Sequence, residues 1–174
     1  MFAERGFHGV SMDDLGTELG VSGPALYRHF PSKEAILSQM LISISERLLA
    51  GAQDCLTSSL GAPEQLDSLI AFHVEFALTE PDLIAVQFRD LANVPEPGRR
   101  AVRQLQRLYV EAWVGVLMEI YPQIGHDRAQ AVAQAVFGLL NSTSHSRSRA
   151  AGEGADLLHR MAAAALAEGC QNDR

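Results

Sequence analysis

Four side chains that suit nucleic-acid binding lie within one short stretch of the chain: Tyr27, Arg28, His29 and Lys33. Phenol and imidazole groups donate hydrogen bonds to phosphates, and a guanidinium group reaches a phosphate or the edge of a guanine. Lys33 follows Ser32, a residue type that often caps the start of a helix. A helix N-terminus disfavours a cation but attracts an anion, so a bound phosphate would explain the lysine.

The residues around these four predict two short helices joined by a tight turn. Ser11 is a suitable N-cap for the first helix, and Gly20 is the glycine expected just past its end. Ser22 caps the second helix, Pro24 is tolerated in its first turn, and Pro31 ends it. Two short helices with this connection form a helix-turn-helix, and an ordinary helical hairpin is the alternative.

We expect the shared core of these two helices to contain Leu15, Leu19, Val21 and Leu26. Gly16 removes side-chain bulk at the position where the two helices would cross. A core on this side of the second helix leaves its opposite side free to meet a partner.

The outer side of the second helix then carries Gly23, Ala25, Arg28 and His29, with Tyr27 at its edge. A recognition helix enters the major groove of DNA by its N-terminal end, so small residues there allow close approach. This polar content favours DNA binding over the hairpin alternative.

The rest of the chain shows apolar residues at three- and four-residue spacing, which predicts helices. The helical stretches lie near residues 36–48, 66–76, 84–91, 102–120, 132–140 and 157–166. No two-residue alternation with turn pairs is present, so strands are not expected. The predicted fold is all-α.

Composition limits the classes of function. The net charge is −7, which excludes a protein that coats nucleic acid through bulk charge. No apolar run approaches the roughly 20 residues of a membrane span, so we expect a soluble, cytoplasmic protein without a membrane partner. Cys55 and Cys170 have no metal-binding spacing. No glycine-rich phosphate loop, metal motif or nucleophile turn occurs, so no cofactor, metal or enzymatic activity is expected.

The predicted helices after residue 44 carry more aromatic and apolar side chains than one thin layer requires, and a cavity between such helices is a common ligand site. The candidate ligand-binding residues are Phe72, His73, Phe76, Phe88, Arg89, Tyr109, Trp113, Leu117, Phe137 and Asn141. A plainly packed core is the alternative for most of them.

Three polar candidates have alternatives of their own. His73 lies on an apolar stripe, where a hydrogen-bonded core histidine competes with a ligand contact. Arg89 is either a solvated charge or the partner of an acidic group. Asn141 and His145 lie four residues apart, and either give a pocket its polarity or form hydrogen bonds at a helix end.

Alanine-rich segments in the last two helices predict a dimer interface. Small residues let helices approach closely, and two helices from each protomer would form a four-helix bundle across a two-fold axis. The residues concerned are Ala129, Ala131, Ala133, Ala135 and Ala162 to Ala165. Packing within one chain is the alternative.

The segment Phe2 to Leu37, FAERGFHGVSMDDLGTELGVSGPALYRHFPSKEAIL, resembles the DNA-binding head of the TetR/AcrR transcriptional regulators. This resemblance implies a three-helix head, an all-helical ligand-binding body and a homodimer that usually represses. The corresponding domains are 1–43 and 44–174. Family members carry a longer first helix, often after a basic arm, and this sequence opens at the last turn of that helix. We expect either missing upstream residues or a late translation start.

The resemblance also implies roles for individual residues. By position, the family's phosphate-contacting sites correspond to Ser11, Ser22, Tyr27, His29 and Lys33. The sites that face bases correspond to Gly23, Pro24 and Arg28.

The expected function is a repressor that leaves a pseudo-palindromic operator in double-stranded DNA when it binds a small effector. The aromatic candidates favour a lipophilic effector, such as an acyl chain or acyl thioester. One alternative is a helical ligand-binding or adaptor protein whose truncated head no longer binds DNA. The other is a small helical enzyme with a site assembled from distant residues.

Overall fold

The computed structural model describes residues 1–57, 60–142 and 151–171, with the backbone alone for Gly23, Ala151 and Gly152. Within these ranges the chain forms helices and no strands, which confirms the predicted all-α class. The helices are α1 (Phe2–Arg5), α2 (Met12–Glu18), α3 (Gly23–His29), α4 (Lys33–Thr57), α5 (Ala62–Thr79), α6 (Pro81–Asp90), a 3₁₀ turn (Leu91–Asn93), α7 (Glu96–Ile120), α8 (His126–Asn141) and α9 (Ala151–Cys170).

Local signals in the sequence set the ends of the short helices. Ser11 forms a reciprocal capping box with Asp14 at the start of α2. Gly20 follows α2 with φ +67°, a left-handed conformation that glycine adopts without steric cost. Phe30, the residue before Pro31, is extended at φ −133°, so α3 ends there.

The chain divides into two compact units. The first unit joins Met1–Glu46 to Asp82–Leu105, and the second joins Arg47–Pro81 to Gln106–Arg174. The first unit therefore contains the helix-turn-helix and also most of α6 and the start of α7. Because α4 runs without a break from Lys33 to Thr57, no helix end marks the predicted boundary between residues 43 and 44, which stays a prediction.

The core of the helix-turn-helix differs from the expected one. Leu15 and Leu26 are buried as predicted, but Leu19 is 64% exposed and Val21 is 42% exposed. Leu19 is the C-cap of α2, and Val21 lies in the turn beyond it, so neither is held between the two helices. Met12 of α2 and residues outside the two helices are buried instead. In the first unit the buried residues include Phe2, Phe7, Val10, Met12, Leu37, Leu41 and Ile44.

Helix α4 corrects the prediction about apolar runs. It has 25 residues, and an 18-residue window within it reaches a mean hydropathy of 1.2, which is the length and composition of a membrane-crossing helix. Its apolar residues Leu37, Leu41 and Ala52 are fully buried within the protein. Part of the apolar composition of α4 therefore serves the core, since 28% of that window is buried inside the protein.

The second unit has one hydrophobic core, in which α9 packs against α5 and α8. Trp113 and Leu117 of α7 are both fully buried there. Gly51 of α4 is also a constraint, because a Cβ atom at this position would lie 2.1 Å from the ring of Phe72. The absence of a side chain at Gly51 is what allows the Phe72 ring to lie against α4.

Candidate DNA-binding surface and effector site

Helix α3 owes its position to its cap and to one buried residue. Ser22 Oγ accepts a hydrogen bond from the backbone N–H of Ala25 at 3.4 Å, and Pro24 lies in the first turn, where its missing N–H is not needed. Leu26 is 4% exposed, and α3 packs against α2. The opposite side of α3 is therefore left to solvent.

That solvent-facing surface contains four of the predicted DNA-contacting residues. Pro24, Tyr27, Arg28 and His29 are all exposed, with Tyr27 at 53%. Arg28 forms no ion pair with any residue that the structure describes, so its guanidinium group is available to an external partner. Gly23 begins α3. The structure brings these residues together on one short helix, as the sequence predicted.

The two capping serines differ in what they can still offer a phosphate. Ser11 Oγ donates to Asp14 Oδ2 at 2.6 Å and accepts from the Asp14 backbone N–H at 3.1 Å. Hydrogen bonds from Ser11 lower the pKa of the Asp14 carboxyl group, so a negative charge stands beside this hydroxyl at neutral pH. Ser22 uses its oxygen as an acceptor and keeps its O–H for an external acceptor. Ser22 is therefore the better candidate for a phosphate contact.

Lys33 has surroundings that the sequence did not predict. Its Nζ donates to the backbone oxygens of Phe7 at 2.6 Å and Val10 at 2.5 Å, and it lies 4.3 Å from the centroid of the Phe7 ring. These carbonyl groups already stabilise the cation at the start of α4, so a phosphate is not needed to explain it. One N–H of the ammonium group remains for DNA.

In the second unit, five of the predicted effector-binding residues form one cluster. His73 Nδ1 lies 2.8 Å from the hydroxyl of Tyr109, and His73 Nε2 lies 3.1 Å from Asn141 Oδ1. The ring of Phe137 stacks on His73 with centroids 5.0 Å apart, and the Trp113 ring meets Phe137 edge-on at 5.0 Å. We name His73, Tyr109, Trp113, Phe137 and Asn141 the aromatic cluster.

The hydrogen bonds of the aromatic cluster assign the proton on His73. Because an amide oxygen only accepts, Nε2 carries the hydrogen and donates to Asn141, and Nδ1 accepts from the hydroxyl of Tyr109. Burial lowers the pKa of His73 to about 4, because a buried imidazolium loses its hydration. Burial also raises the pKa of the Tyr109 hydroxyl group. Both groups are neutral at physiological pH.

Trp113 holds the one unsatisfied polar atom among the buried side chains that the structure describes. Its side chain is fully buried, and its Nε1–H makes no hydrogen bond of ordinary geometry with the described residues, although its interaction with the Tyr109 hydroxyl group lowers the pKa of that hydroxyl. A buried donor without an acceptor costs about 1–3 kcal/mol. The N–H is therefore a group to which a bound acceptor would add a favourable contact.

Phe72 and Phe76 lie beside the aromatic cluster in sequence and line an open cleft. The cleft has a volume of about 200 Å³ and is also lined by Arg47, Leu48, Glu75 and Thr79. Arg47 is paired with Glu80, with Nη2 and Oε1 3.1 Å apart. The cleft thus combines an apolar wall with charged groups at its rim.

Three predicted effector residues have other surroundings. Leu117 belongs to the plainly packed core of the second unit. Phe88 is 69% exposed, and Arg89 donates to the backbone oxygens of Phe2 and Ala3 and to the carboxylate of Asp90. Phe88 and Arg89 lie in the first compact unit, and the aromatic cluster lies in the second. His145, which the sequence paired with Asn141, lies outside the described residues.

Sequence reasoning missed several residues at these sites. Asp90 is 3% exposed and binds Arg89, yet a carboxylate at the end of a short helix gave no sign of burial. The rim of the cleft was missed because Arg47, Glu75 and Thr79 occupy the polar side of their helices. Arg47, Glu75 and Thr79 are seen to surround Phe72 and Phe76 only once the structure places α4 beside α5.

Catalytic and metal-binding arrangements are not found in the described ranges. No three His, Cys, Asp or Glu side chains among residues 1–57, 60–142 and 151–171 are close enough to hold a metal ion. A capped, solvent-facing recognition helix and a separate helical core define the class as a helix-turn-helix DNA-binding protein.

Comparisons with known proteins give the same class. Residues 1–40 match the family described as "Bacterial regulatory proteins, tetR family". Residues 59–145, which are half of the chain, match the "Tetracyclin repressor-like, C-terminal domain". The chain therefore belongs to the TetR family, and it is a DNA-binding transcriptional regulator and not an enzyme.

Individual relatives are distant. The HTH-type transcriptional repressor KstR2 of Rhodococcus jostii is 24% identical over 145 residues, which cover 83% of this chain and 71% of that protein. The Mycobacterium tuberculosis repressor KstR2 is 28% identical over 119 residues, which cover 67% of this chain and 59% of that protein. The match therefore spans less than two thirds of the mycobacterial repressor.

Solved structures share the fold. A TetR-family regulator from Bordetella parapertussis superposes with a TM-score of 0.85 at 26% identity, covering 95% of this chain and 88% of that one. The ketosteroid transcriptional regulator KstR2 of Mycobacterium tuberculosis superposes with a TM-score of 0.80 at 19% identity, covering 97% of this chain and 88% of that one.

The burial of neutral His73 predicts a pH dependence of stability. Between pH 6.5 and 4 the unfolded chain binds a proton at this residue and the folded chain does not, so stability is full above pH 6.5 and falls as the pH drops towards 4. We expect His73 to account for a loss of up to about 3 kcal/mol in the free energy of unfolding. Chemical denaturation of the wild type and of His73→Gln at pH 7 and pH 4.5 measures this change in the free energy of unfolding.

The control for this prediction is His126→Gln. His126 is exposed and pairs with Glu111, which raises the pKa of the imidazole. The His126→Gln variant should therefore still lose stability between pH 7 and pH 4.5, because His73 is unchanged. An equal loss in the wild type and in His73→Gln would contradict the assignment.

Proposed function

We propose that the chain is a ligand-responsive repressor, which binds a pseudo-palindromic operator as a homodimer and is released by a small lipophilic effector. The observation that carries the DNA-binding part is the exposed surface of α3, where Arg28 has no ion-pair partner among the described residues. A regulator that binds operator DNA in a bacterium acts in the cytoplasm.

The arrangement of α3 suits entry into the major groove by its N-terminal end. Pro24 and Ala25 present little bulk there, and Arg28 lies one turn further along. Arg28 fits a guanine edge through two parallel hydrogen bonds, while Tyr27 and His29 fit flanking phosphates. Because the net charge is −7, affinity has to come from these local contacts, with repulsion from the rest of the chain opposing it.

The first test of this function replaces Arg28. If Arg28 contacts a base, Arg28→Ala should relax preference at one base pair in each half-site, with a loss of roughly 1–3 kcal/mol in discrimination. Competition binding with operator duplexes that are changed one base pair at a time measures the loss. Arg107→Ala is the matched control, since it removes the same charge from an exposed position on α7.

An Arg28→Ala variant with the base preference and the affinity of the wild type would overturn the assignment of α3. A uniform loss on every duplex, with a salt slope smaller by about 1 per half-site, would instead assign Arg28 to a phosphate.

The proposed dimer interface uses part of the alanine-rich surface. Ala129, Ala133 and Ala162 are fully buried within their own unit, so the packing alternative holds for these three. The small and apolar residues that are exposed on the two helices include Ala131, Ala135 and Gly138 of α8 and Leu157, Met161, Ala164 and Ala165 of α9. Leu157 is 50% exposed and Met161 is 44% exposed, and covering them would bury an apolar surface.

A charge in the outward surface of α8 should break the dimer. Ala135→Glu places a carboxylate where two helices would meet closely, and burying it without a partner is costly. We expect monomers with unchanged helical content and weaker operator binding, measured by light scattering, circular dichroism and DNA binding. Ala71→Glu on the exposed side of α5 is the control and should stay dimeric. Intact Ala135→Glu dimers would remove α8 from the interface.

The proposed effector is apolar and carries a hydrogen-bond acceptor. Phe72 and Phe76 supply an apolar wall, and Trp113 Nε1–H is a buried donor that makes no hydrogen bond of ordinary geometry with the described residues. The cleft of about 200 Å³ is smaller than a typical ligand pocket of roughly 300–1,000 Å³, so an effector has to widen it. The similarity to mycobacterial KstR2, a ketosteroid transcriptional regulator, supports a lipophilic effector with a carbonyl group.

Trp113 is the only tryptophan and therefore a direct probe of effector binding. We expect a long-chain acyl thioester or a ketosteroid to shift Trp113 emission and to weaken operator binding. By linkage, the operator must weaken effector binding by the same factor, typically about 5- to 150-fold. A saturating shift in emission with unchanged operator affinity would overturn induction, and no shift with either ligand would overturn the lipophilic class.

A further inference from the structure

Arg89 of α6 binds three groups of the first compact unit. Its Nη1 donates to the backbone oxygen of Ala3 at 3.0 Å, and its Nη2 donates to the backbone oxygen of Phe2. Its Nε and Nη2 also donate to the carboxylate of Asp90, at 3.2 and 2.9 Å. Asp90 is 3% exposed. We name Arg89 and Asp90 the α6 clamp.

The chemistry of the α6 clamp requires arginine. A buried carboxylate is stable only when it is paired, and Arg89 is the partner of Asp90. A planar guanidinium group with five donors serves a carboxylate and two carbonyl groups at once. The compact ammonium group of lysine would keep the charge but lose this geometry.

Helix α1 depends on contacts from outside itself. It comprises Phe2–Arg5, and Gly6 is its C-cap. Its carbonyl groups form the negative end of the helix, where a cation stabilises it. Its own cap supplies one hydrogen bond, from the Gly6 N–H to the Phe2 oxygen at 2.9 Å. Arg89 supplies two more to the same turn.

The turn after α1 connects this helix to the start of α4 through side-chain contacts. Gly6 has φ +73°, which reverses the chain, and the rings of Phe2 and Phe7 lie 5.9 Å apart. The backbone oxygen of Phe7 then accepts from Lys33 Nζ. Continuous contacts therefore run from α6 through α1 to the lysine that follows the recognition helix.

We propose that Arg89 is a positioning residue for operator binding, although it lies outside the helix-turn-helix and contacts no DNA. By holding α1 it fixes the segment whose Phe7 oxygen binds Lys33, four residues after the end of α3. The segment Asp82–Leu105 thereby belongs to the DNA-binding apparatus. The proposal rests on operator binding by the wild type, which is measured alongside.

The experiment compares operator binding by Arg89→Gln, Asp90→Asn and the double variant. Arg89→Gln should weaken operator affinity roughly tenfold to a hundredfold, the size expected for lost charge-assisted hydrogen bonds. The salt slope should not change, because no phosphate contact is removed. Arg89→Lys keeps the charge and should recover only part of the affinity. Thermal unfolding of each variant reports the folded fraction at the temperature of the binding assay.

The double variant separates positioning from simple stability. Arg89→Gln leaves Asp90 buried and unpaired, whereas adding Asp90→Asn removes that charge and should restore most of the melting temperature. Operator affinity should stay low, since the bonds to Phe2 and Ala3 are still missing. A double variant with the affinity of the wild type would overturn the proposal, as would unchanged affinity in folded Arg89→Gln.

Arg99→Gln is the matched control in the same unit. Arg99 pairs with Glu96 on the surface of α7, and its loss should leave operator affinity unchanged. An equal loss of affinity in Arg99→Gln would show that any missing cation has this effect, and would overturn the specific role of Arg89. If neither the wild type nor Arg99→Gln binds DNA, the result contradicts the proposed operator binding and not the proposed role of the α6 clamp.

Discussion

The hydrogen bonds from Lys33 to the oxygens of Phe7 and Val10 are the constraint on which the DNA-binding head depends. Helices α1, α2 and α3 have four, seven and seven residues, too few to be stable alone. A single ammonium group ties the turn between α1 and α2 to the start of α4, and the Phe7 ring covers it. The recognition helix lies between these two points along the chain.

This arrangement divides the basic side chains of the head into two groups. Lys33 and Arg89 bind backbone carbonyl groups inside the first unit, where they supply stability that a small apolar core cannot. Arg28 and His29 face solvent on α3. We propose that the first group holds the segments around α3 and that the second group contacts DNA. Sequence position alone does not distinguish the groups, because each consists of polar residues next to helix ends.

The sequence predicted the helices well because their ends are set by neighbours along the chain. The Ser11 cap, the glycine at 20 and the prolines at 24 and 31 act within a few residues of themselves. Side-chain partners across long separations could not be predicted in the same way. Lys33 contacts residues 26 and 23 positions away, and Arg89 contacts residues 87 and 86 positions away. The hydrogen bonds of His73 to Tyr109 and Asn141 likewise join separate helices.

The most direct measurement of the central claim is selection of bound DNA from a random pool by the chain itself. A two-fold symmetric pair of recognition helices requires two related half-sites in opposite orientation. We predict that successive rounds enrich such a pseudo-palindrome, with conserved base pairs in each half-site at the positions that α3 contacts. Recovery of DNA without any enriched sequence, at an affinity that only follows salt concentration, would contradict the account.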